Sequence, residues 1–188
     1  LDLKLDMELQ LVPSTDTVLT TPCQNFDFLN PPFDPVEFSH DLLHALLDHN
    51  GIGLAANQIG VPYRIFAIRG HPENFVCFNP KIVQPSEQQI TLEEGCLTFP
   101  GLFVKVKRPQ HIRVRWTMPN GETRSDTFTG MSARIIQHEI DHLDGIIFYS
   151  RANRYHRDQA FRRWEIWKRN NRPNAKRSGA NELFATNS

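Results

Sequence analysis

The spacing of apolar residues along this chain changes twice, and the changes predict a helix, a series of strands and a second helix. Residues 1–34 read as mostly irregular, because Pro13-Ser14, Thr21-Pro22 and Pro31-Pro32 interrupt any period. Asp34-Pro35-Val36-Glu37 then offers an N-cap acid, a proline at the first helical position and a glutamate at N3. With Val36, Leu43, Leu46 and Leu47 on one face and Gly51 as a stop, this predicts a helix over 35–50. Shorter β-type runs follow at 64–68 and 75–78, the latter closed by Asn79-Pro80, and alternating runs occupy 103–107 and 112–116. Pro119-Asn120-Gly121 is a hairpin turn into 123–128. A helical period returns near Met131 and runs through His142, with Gly145 as its terminator. Helix, strands, helix argues for an α+β fold rather than alternating βαβ units.

A length of 188 residues fits one ordinary domain with room for an appendage. The 39% hydrophobic content is too high for a disordered chain, and no apolar run approaches the ~20 residues a membrane span needs. No charged-then-apolar signal peptide opens the chain, although Leu1 in place of Met suggests a trimmed start. Three cysteines at wide spacing make a disulfide framework unexpected and leave a free thiol for chemistry, which points to the cytoplasm.

Lys+Arg and Asp+Glu balance at 21 each, but not locally. Residues 1–50 hold nine acids and one base, 51–150 nine acids and ten bases, and 151–188 three acids and ten bases, so the net charges are −8, +1 and +7. The expected organisation is a 1–150 body and a basic 151–188 tail. Within the tail, Phe161, Trp164 and Trp167 fall on one helix face among many bases, which predicts a helix packed on the body with its basic face in water. Residues 173–188, rich in Asn, Ala and Ser, read as a flexible end.

The strongest chemical signal is His138-Glu139-Ile140-Asp141-His142. Residues at i and i+4 share a helix face, so both imidazoles can reach one divalent ion, with Glu139 placed to exchange a proton with an activated water. Ile135, Ile136, Ile140 and Leu143 make this a core helix, which argues against a solvated face carrying two chance histidines. A catalytic site of this type takes a third protein ligand. Gly145 fits the continuation H-x-x-G-x-x-H, but Phe148 stands where its last histidine belongs. Glu165 is one remaining candidate, of the kind a metallopeptidase would use. Cys96, presented in Glu94-Gly95-Cys96-Leu97-Thr98-Phe99-Pro100-Gly101, is the other and the stronger. Cys23 and Cys77 read as small buried hydrophobes. His40 and His44 repeat the i, i+4 spacing without an acid between them or a third ligand nearby.

Gly51-Ile52-Gly53-Leu54-Ala55-Ala56-Asn57-Gln58 matches a dinucleotide-binding fingerprint in letters but not in context, because a helix precedes it and a strand follows. It reads instead as a tight loop that lets a peptide backbone approach, ending in an amide able to donate to an oxyanion.

The motifs G-x-G-x-A-A-x-Q, E-G-C-L-[ST] and Q-H-E-x-D-H, in this order and together with Leu11-Val12-Pro13, resemble the peptide deformylase family over about residues 9–150. The resemblance implies antiparallel strands packed around a central H-E-x-x-H helix, with an N-terminal helix and a basic C-terminal helix. It implies removal of the formyl group from the N-terminal methionine of nascent polypeptides, releasing formate. Cys96, His138 and His142 would bind one divalent metal ion, Fe²⁺ in the native enzyme, with Zn²⁺ and Ni²⁺ also suited by the donor set. Glu139 would be the acid/base, and Gln58 with the backbone N–H of Leu97 would hold the oxyanion. Gly53 would pair with the substrate backbone, and Ile52, Glu94, Gly95, Met131, Arg134 and Ile135 would complete the substrate site. The family usually has Ser where this chain has Thr98, and Arg134 occupies a position that is apolar in some members, so it would edge the pocket. N-formylmethionyl peptides are the expected partner and the ribosome a further one through the basic tail, with no membrane or DNA partner. A metallopeptidase using Glu165, or an RNA-binding module with a structural metal, are the competing readings.

Overall fold

A computed structural model of the chain describes residues 9–70 and 73–171. The expected flexible end at 173–188 lies outside the described residues. The elements are α1 (Pro35–Asp48), β1 (Gly53–Ala55), β2 (Ile65–Ile68), β3 (Phe75–Pro85), β4 (Gln89–Cys96), β5 (Phe99–Pro109), β6 (His111–Thr117), β7 (Thr123–Thr129), α2 (Gly130–Leu143) and α3 (Arg154–Asn170). Short 3₁₀ turns cover Thr17–Thr20, Ala56–Ile59 and Phe148–Arg151. Among the described residues, no helix is long and apolar enough to cross a membrane.

The strands form two antiparallel sheets, a five-stranded one in the order β1-β2-β3-β6-β7 and a two-stranded one of β4 and β5. Helices cover both faces of the larger sheet, which explains why all four residues of β2 are buried apolar ones. Phe66 and Ile68 join Cys77, Val114 and Trp116 under Ile135, Ile136, Ile140 and Leu143 of α2. Ile65 and Ala67 point to the opposite face and pack with Val76 and Phe78 against Leu42, Ala45 and Leu46 of α1. A third core joins Phe99, Leu102, Val104 and Val106 of β5 to Phe148, Ala152 and Ala160.

The helix starts follow their sequence signals. Asp34 caps α1 by accepting hydrogen bonds from the N–H groups of Val36 and Glu37 at 2.8 and 2.9 Å, with Pro35 in the first turn. Gly145, at φ 69°, provides the left-handed residue that lets the chain leave α2, as its position after the motif predicted.

Three strands depart from expectation, the first being β1, which pairs with β2 inside the segment read as a tight loop. Asn79-Pro80 does not end β3; the strand shifts register between Phe78 and Lys81 and continues to Pro85. Asn79 takes a left-handed backbone (φ 48°), and its amide exchanges two hydrogen bonds with Phe26, accepting from the N–H at 2.8 Å and donating to the C=O at 2.9 Å. β4 carries no apolar alternation strong enough to predict it, because Glu94 is the one buried residue among its eight.

A candidate metal centre at the mouth of an apolar cleft

α2 delivers two imidazoles from one face, and the β4 end delivers a thiol toward them. The ligating atoms available on Cys96, His138 and His142 all lie within 4.8 Å of one another, and Cys96 Sγ is 3.3 Å from His142 Nε2. His138 Nδ1 is engaged with Glu94 Oε2 at 3.0 Å, which leaves its Nε2 for a metal. One soft thiolate and two imidazoles are a donor set suited to Fe²⁺, Zn²⁺ or Ni²⁺. Glu139 Oε2 is buried without a hydrogen-bond partner in the same region, as expected of an acceptor kept for a reacting proton. The donors present therefore fit one divalent ion.

Electrostatics at the centre follow from burial and close pairing. Burial pushes the Glu139 carboxyl up to about 7, opposed by the positive charge of His138 and reinforced by the nearby Glu94 carboxylate. Burial alone would lower His138, but its hydrogen bonds to Cys96 and Glu94 outweigh that and raise it to about 10. Burial drives His142 well below the usual histidine range, with the charges on His138 and Arg108 acting in the same direction.

Behind His138 lies a buried ionic network that sequence reading missed. Arg108 donates to both oxygens of Glu94, at 2.6 and 2.9 Å, and to Asp141 Oδ2 at 2.7 Å. Arg151 reaches Asp141 Oδ1 at 2.7 Å, and Arg134 reaches Glu94 Oε1 at 2.8 Å. Burial alone would raise the Glu94 carboxyl, but the hydrogen bonds from His138 and Arg108 hold it well below the usual carboxylate range. A signal for Arg108 exists in the sequence: Leu102, Val104 and Val106 alternate inward along β5, and position 108 continues their face.

The 3₁₀ turn after β1 fixes Gln58. Its Oε1 accepts from the Ala55 N–H at 2.8 Å, and its Nε2 donates to Thr98 Oγ1 at 3.0 Å and toward Cys96 Sγ at 3.5 Å. The hydroxyl common to Ser and Thr is thus used by Gln58. Gly53 is required by crowding, because a Cβ there would run into the Glu139 carboxylate and lie 2.7 Å from Ile135 Cγ2. A Cβ on Gly95 would lie 2.7 Å from the Phe103 ring.

These groups border a cleft of about 610 Å³ with exposed apolar residues Ile52, Phe103 and Met131 among those lining it. Every residue assigned to the site from sequence lines this cleft except His142, which is 1% exposed and reaches the cluster through Cys96. Glu94 and Arg134 contribute to the lining, but their charged ends are committed to the buried network. Glu165, the alternative third ligand, lies on α3 with Lys168 Nζ at 2.6 Å and does not join the cluster. His44 pairs with Asp48 at 2.8 Å on the exposed side of α1, and His40 is exposed.

A buried H-E-x-x-H helix meeting a strand-borne thiol beside an open cleft defines the framework of a metallohydrolase. The sequence matches the polypeptide deformylase family model over residues 8–158. The chain belongs to the polypeptide deformylase family. It is similar to the peptide deformylase of Treponema pallidum (strain Nichols), with 39% identity over 129 residues, covering 68% of this chain and 78% of that one. The peptide deformylase of Rhizobium meliloti (strain 1021) is 36% identical over 151 residues, covering 78% and 84%. The crystal structure of a peptide deformylase from Synechococcus elongatus in complex with actinonin superposes with a TM-score of 0.75 at 31% identity, over 86% of this chain and 89% of that one. Family, fold and site agree that the chain is an enzyme, a hydrolase.

Proposed function

We propose that the chain removes the formyl group from the N-terminal methionine of nascent polypeptides, releasing formate and a free amine. The observation that carries this reading is the placement of Cys96, His138, Glu139 and Gln58 along one apolar cleft in a member of the deformylase family.

Cys96, His138 and His142 would hold one divalent ion, which would supply a Lewis acid able to lower the pKa of water toward about 7. Glu139 accepts the proton of the attacking water, and its burial raises its proton affinity above that of an ordinary carboxylate. As the water oxygen adds to the formyl carbon, Gln58 Nε2 and the Leu97 N–H donate to the developing oxyanion. Glu139 then passes its proton to the leaving nitrogen, the C–N bond breaks, and formate departs. Ile52, Met131 and Ile135 receive the methionine side chain, and Gly53 and Gly95 admit the peptide backbone alongside β1 and β4. Glu94 and Arg134 support this wall from within. Fe²⁺ is the native ion in this reading, with Zn²⁺ and Ni²⁺ as workable substitutes.

The place of action is the cytoplasm, where reducing conditions suit the free thiols of Cys23, Cys77 and Cys96. The ribosome is a partner through the basic surface of α3, by contact with RNA phosphates. The organisation stays that of a 1–150 catalytic body and a 151–188 basic extension.

The test is formate release from a formyl-Met peptide by protein loaded anaerobically with Fe²⁺, Ni²⁺ or Zn²⁺, with metal content measured on the same sample. Turnover with about one ion per chain is expected. Absence of release with all three ions would overturn the reading.

A further inference from the structure

The ligands come from two separate bodies. His138 and His142 sit on α2, which packs on the five-stranded sheet, whereas Cys96 ends β4 in the two-stranded sheet, and the two sheets share no hydrogen-bonded strand edge. The apolar packing of β5 is directed at Phe148, Ala152 and Ala160, and meets α2 through the contact of Phe148 with the His138 ring, 5.3 Å between centroids. Polar bonds from α2 to β4 and β5 therefore share with that ring contact in setting the distance between thiol and imidazoles.

Arg134 makes the most branched of these connections, beside those of Arg108 to Asp141 and of Gln137 to the Pro109 carbonyl. It lies one helical turn before His138, so the two side chains leave α2 on the same side. Both engage one carboxylate from β4: Arg134 Nη1 donates to Glu94 Oε1 at 2.8 Å, and His138 Nδ1 meets Glu94 Oε2 at 3.0 Å. The same guanidinium donates to the Val106 carbonyl of β5 at 2.9 Å and to the Ile90 carbonyl of β4 at 2.6 Å. It is 4% exposed, so these bonds form away from competing water. A planar fork reaching two strands and a carboxylate at once is geometry that an ammonium cannot reproduce.

We propose that Arg134 is a positioning residue of the metal centre. It ties β4 and β5 to α2, so that Cys96 meets the two histidines at ligating separation. It also holds Glu94 against His138 Nδ1, which directs Nε2 at the ion. This rests on Cys96, His138 and His142 being the metal centre, as proposed above.

The test is release of Zn²⁺ from the loaded full-length chain into excess chromogenic chelator, with thermal midpoints of the same variants. Arg134→Met should release Zn²⁺ about 10–100-fold faster than wild type, the usual range for losing a support of a metal ligand. Arg134→Lys keeps the charge without the fork and should fall between the two, which keeps the test open should the methionine variant not fold. Ile112→Val, a core change away from the network, should lower the thermal midpoint while releasing Zn²⁺ at the wild-type rate. Wild-type release from either Arg134 variant, or equal acceleration in Ile112→Val, overturns the assignment. Cys96→Ala separates the two layers. Unaltered Zn²⁺ retention in it removes the metal-centre reading, whereas loss of Zn²⁺ there, with normal retention in the Arg134 variants, removes only the role of Arg134.

Discussion

α2 and α3 are both rich in polar residues, yet eleven of fourteen residues are buried in the first and one of seventeen, Ala160, in the second. The difference is a supply of partners. α2 runs between the two sheets, where Glu94, Arg108 and the carbonyls of Ile90 and Val106 meet its Arg134, His138 and Asp141. Most polar groups of α3 face water or each other, as Lys168 does with Glu165, while its aromatic face returns to the body and Arg163 reaches Glu93 at 3.4 Å on the exposed rim. Buried polar groups without partners are costly, so a helix lined with them is retained where each one is paired or used. Glu139 Oε2 and His142 Nδ1 are the buried side-chain atoms of α2 left without a hydrogen bond, and both belong to residues of the proposed site.

The comparison breaks most sharply at Glu139. Glu139→Gln keeps the shape but cannot take a proton, so turnover should fall by about two to four decades, the usual contribution of a positioned general base. Metal content should stay at the wild-type level. Both are read from formate release and metal analysis on one preparation; an active, metal-loaded Glu139→Gln would end the acid/base assignment. Next comes Arg108→Met, which leaves Glu94 and Asp141 buried with fewer cationic partners. Removing one side of a buried pair costs about 3–5 kcal/mol, so denaturant titration should show a large loss of stability. A loss under about 1 kcal/mol would mean that the network contributes little to the fold.

How much of this was legible depended on the distance in sequence between partners. The H-E-x-D-H pair is local, since four residues along a helix fix both imidazoles, and the Gly and Pro residues around Cys96 mark a presented thiol. The end of α2 at Gly145 and the capped start of α1 at Asp34 are equally local. β4 was not legible because its pairing with β5 produces few inward apolar positions to read. Asn79 looked like a strand end, and its bulge depends on Phe26, fifty-three residues away. The support of His138 by Glu94 spans forty-four residues, and that of Asp141 by Arg108 spans thirty-three, so only the folded chain brings them together. Arg134 was visible as a departure from a position that is apolar in some members of the family; the acceptors that explain it were not.

On α3 the expected effects are smaller and divide by face. Trp164 donates from Nε1 to the Pro100 carbonyl at 2.9 Å and packs with Phe99 and Phe161, while the Trp167 ring covers Gly101, where a Cβ would collide with it. Trp164→Ala should cost about 2 kcal/mol, the scale for exposing a large apolar side chain. It should leave the Glu139-dependent chemistry intact if α3 only buttresses β5.

The smallest effect on the enzyme itself belongs to the solvent face. Arg162 and Arg169 are exposed, and exchanging exposed residues generally changes stability by no more than about 0.5 kcal/mol. Arg162→Glu with Arg169→Glu should therefore leave the thermal midpoint and formyl-Met peptide turnover near wild type. If this face meets ribosomal RNA, the same double variant should bind ribosomes more weakly at low salt, and its affinity should fall less steeply as salt rises, because fewer phosphate counterions are released per complex. Ribosome cosedimentation across a salt series reads both quantities. An unchanged affinity and salt slope would leave α3 with its aromatic face alone as the reason for its sequence, and its charge as nothing more than a means of staying in water.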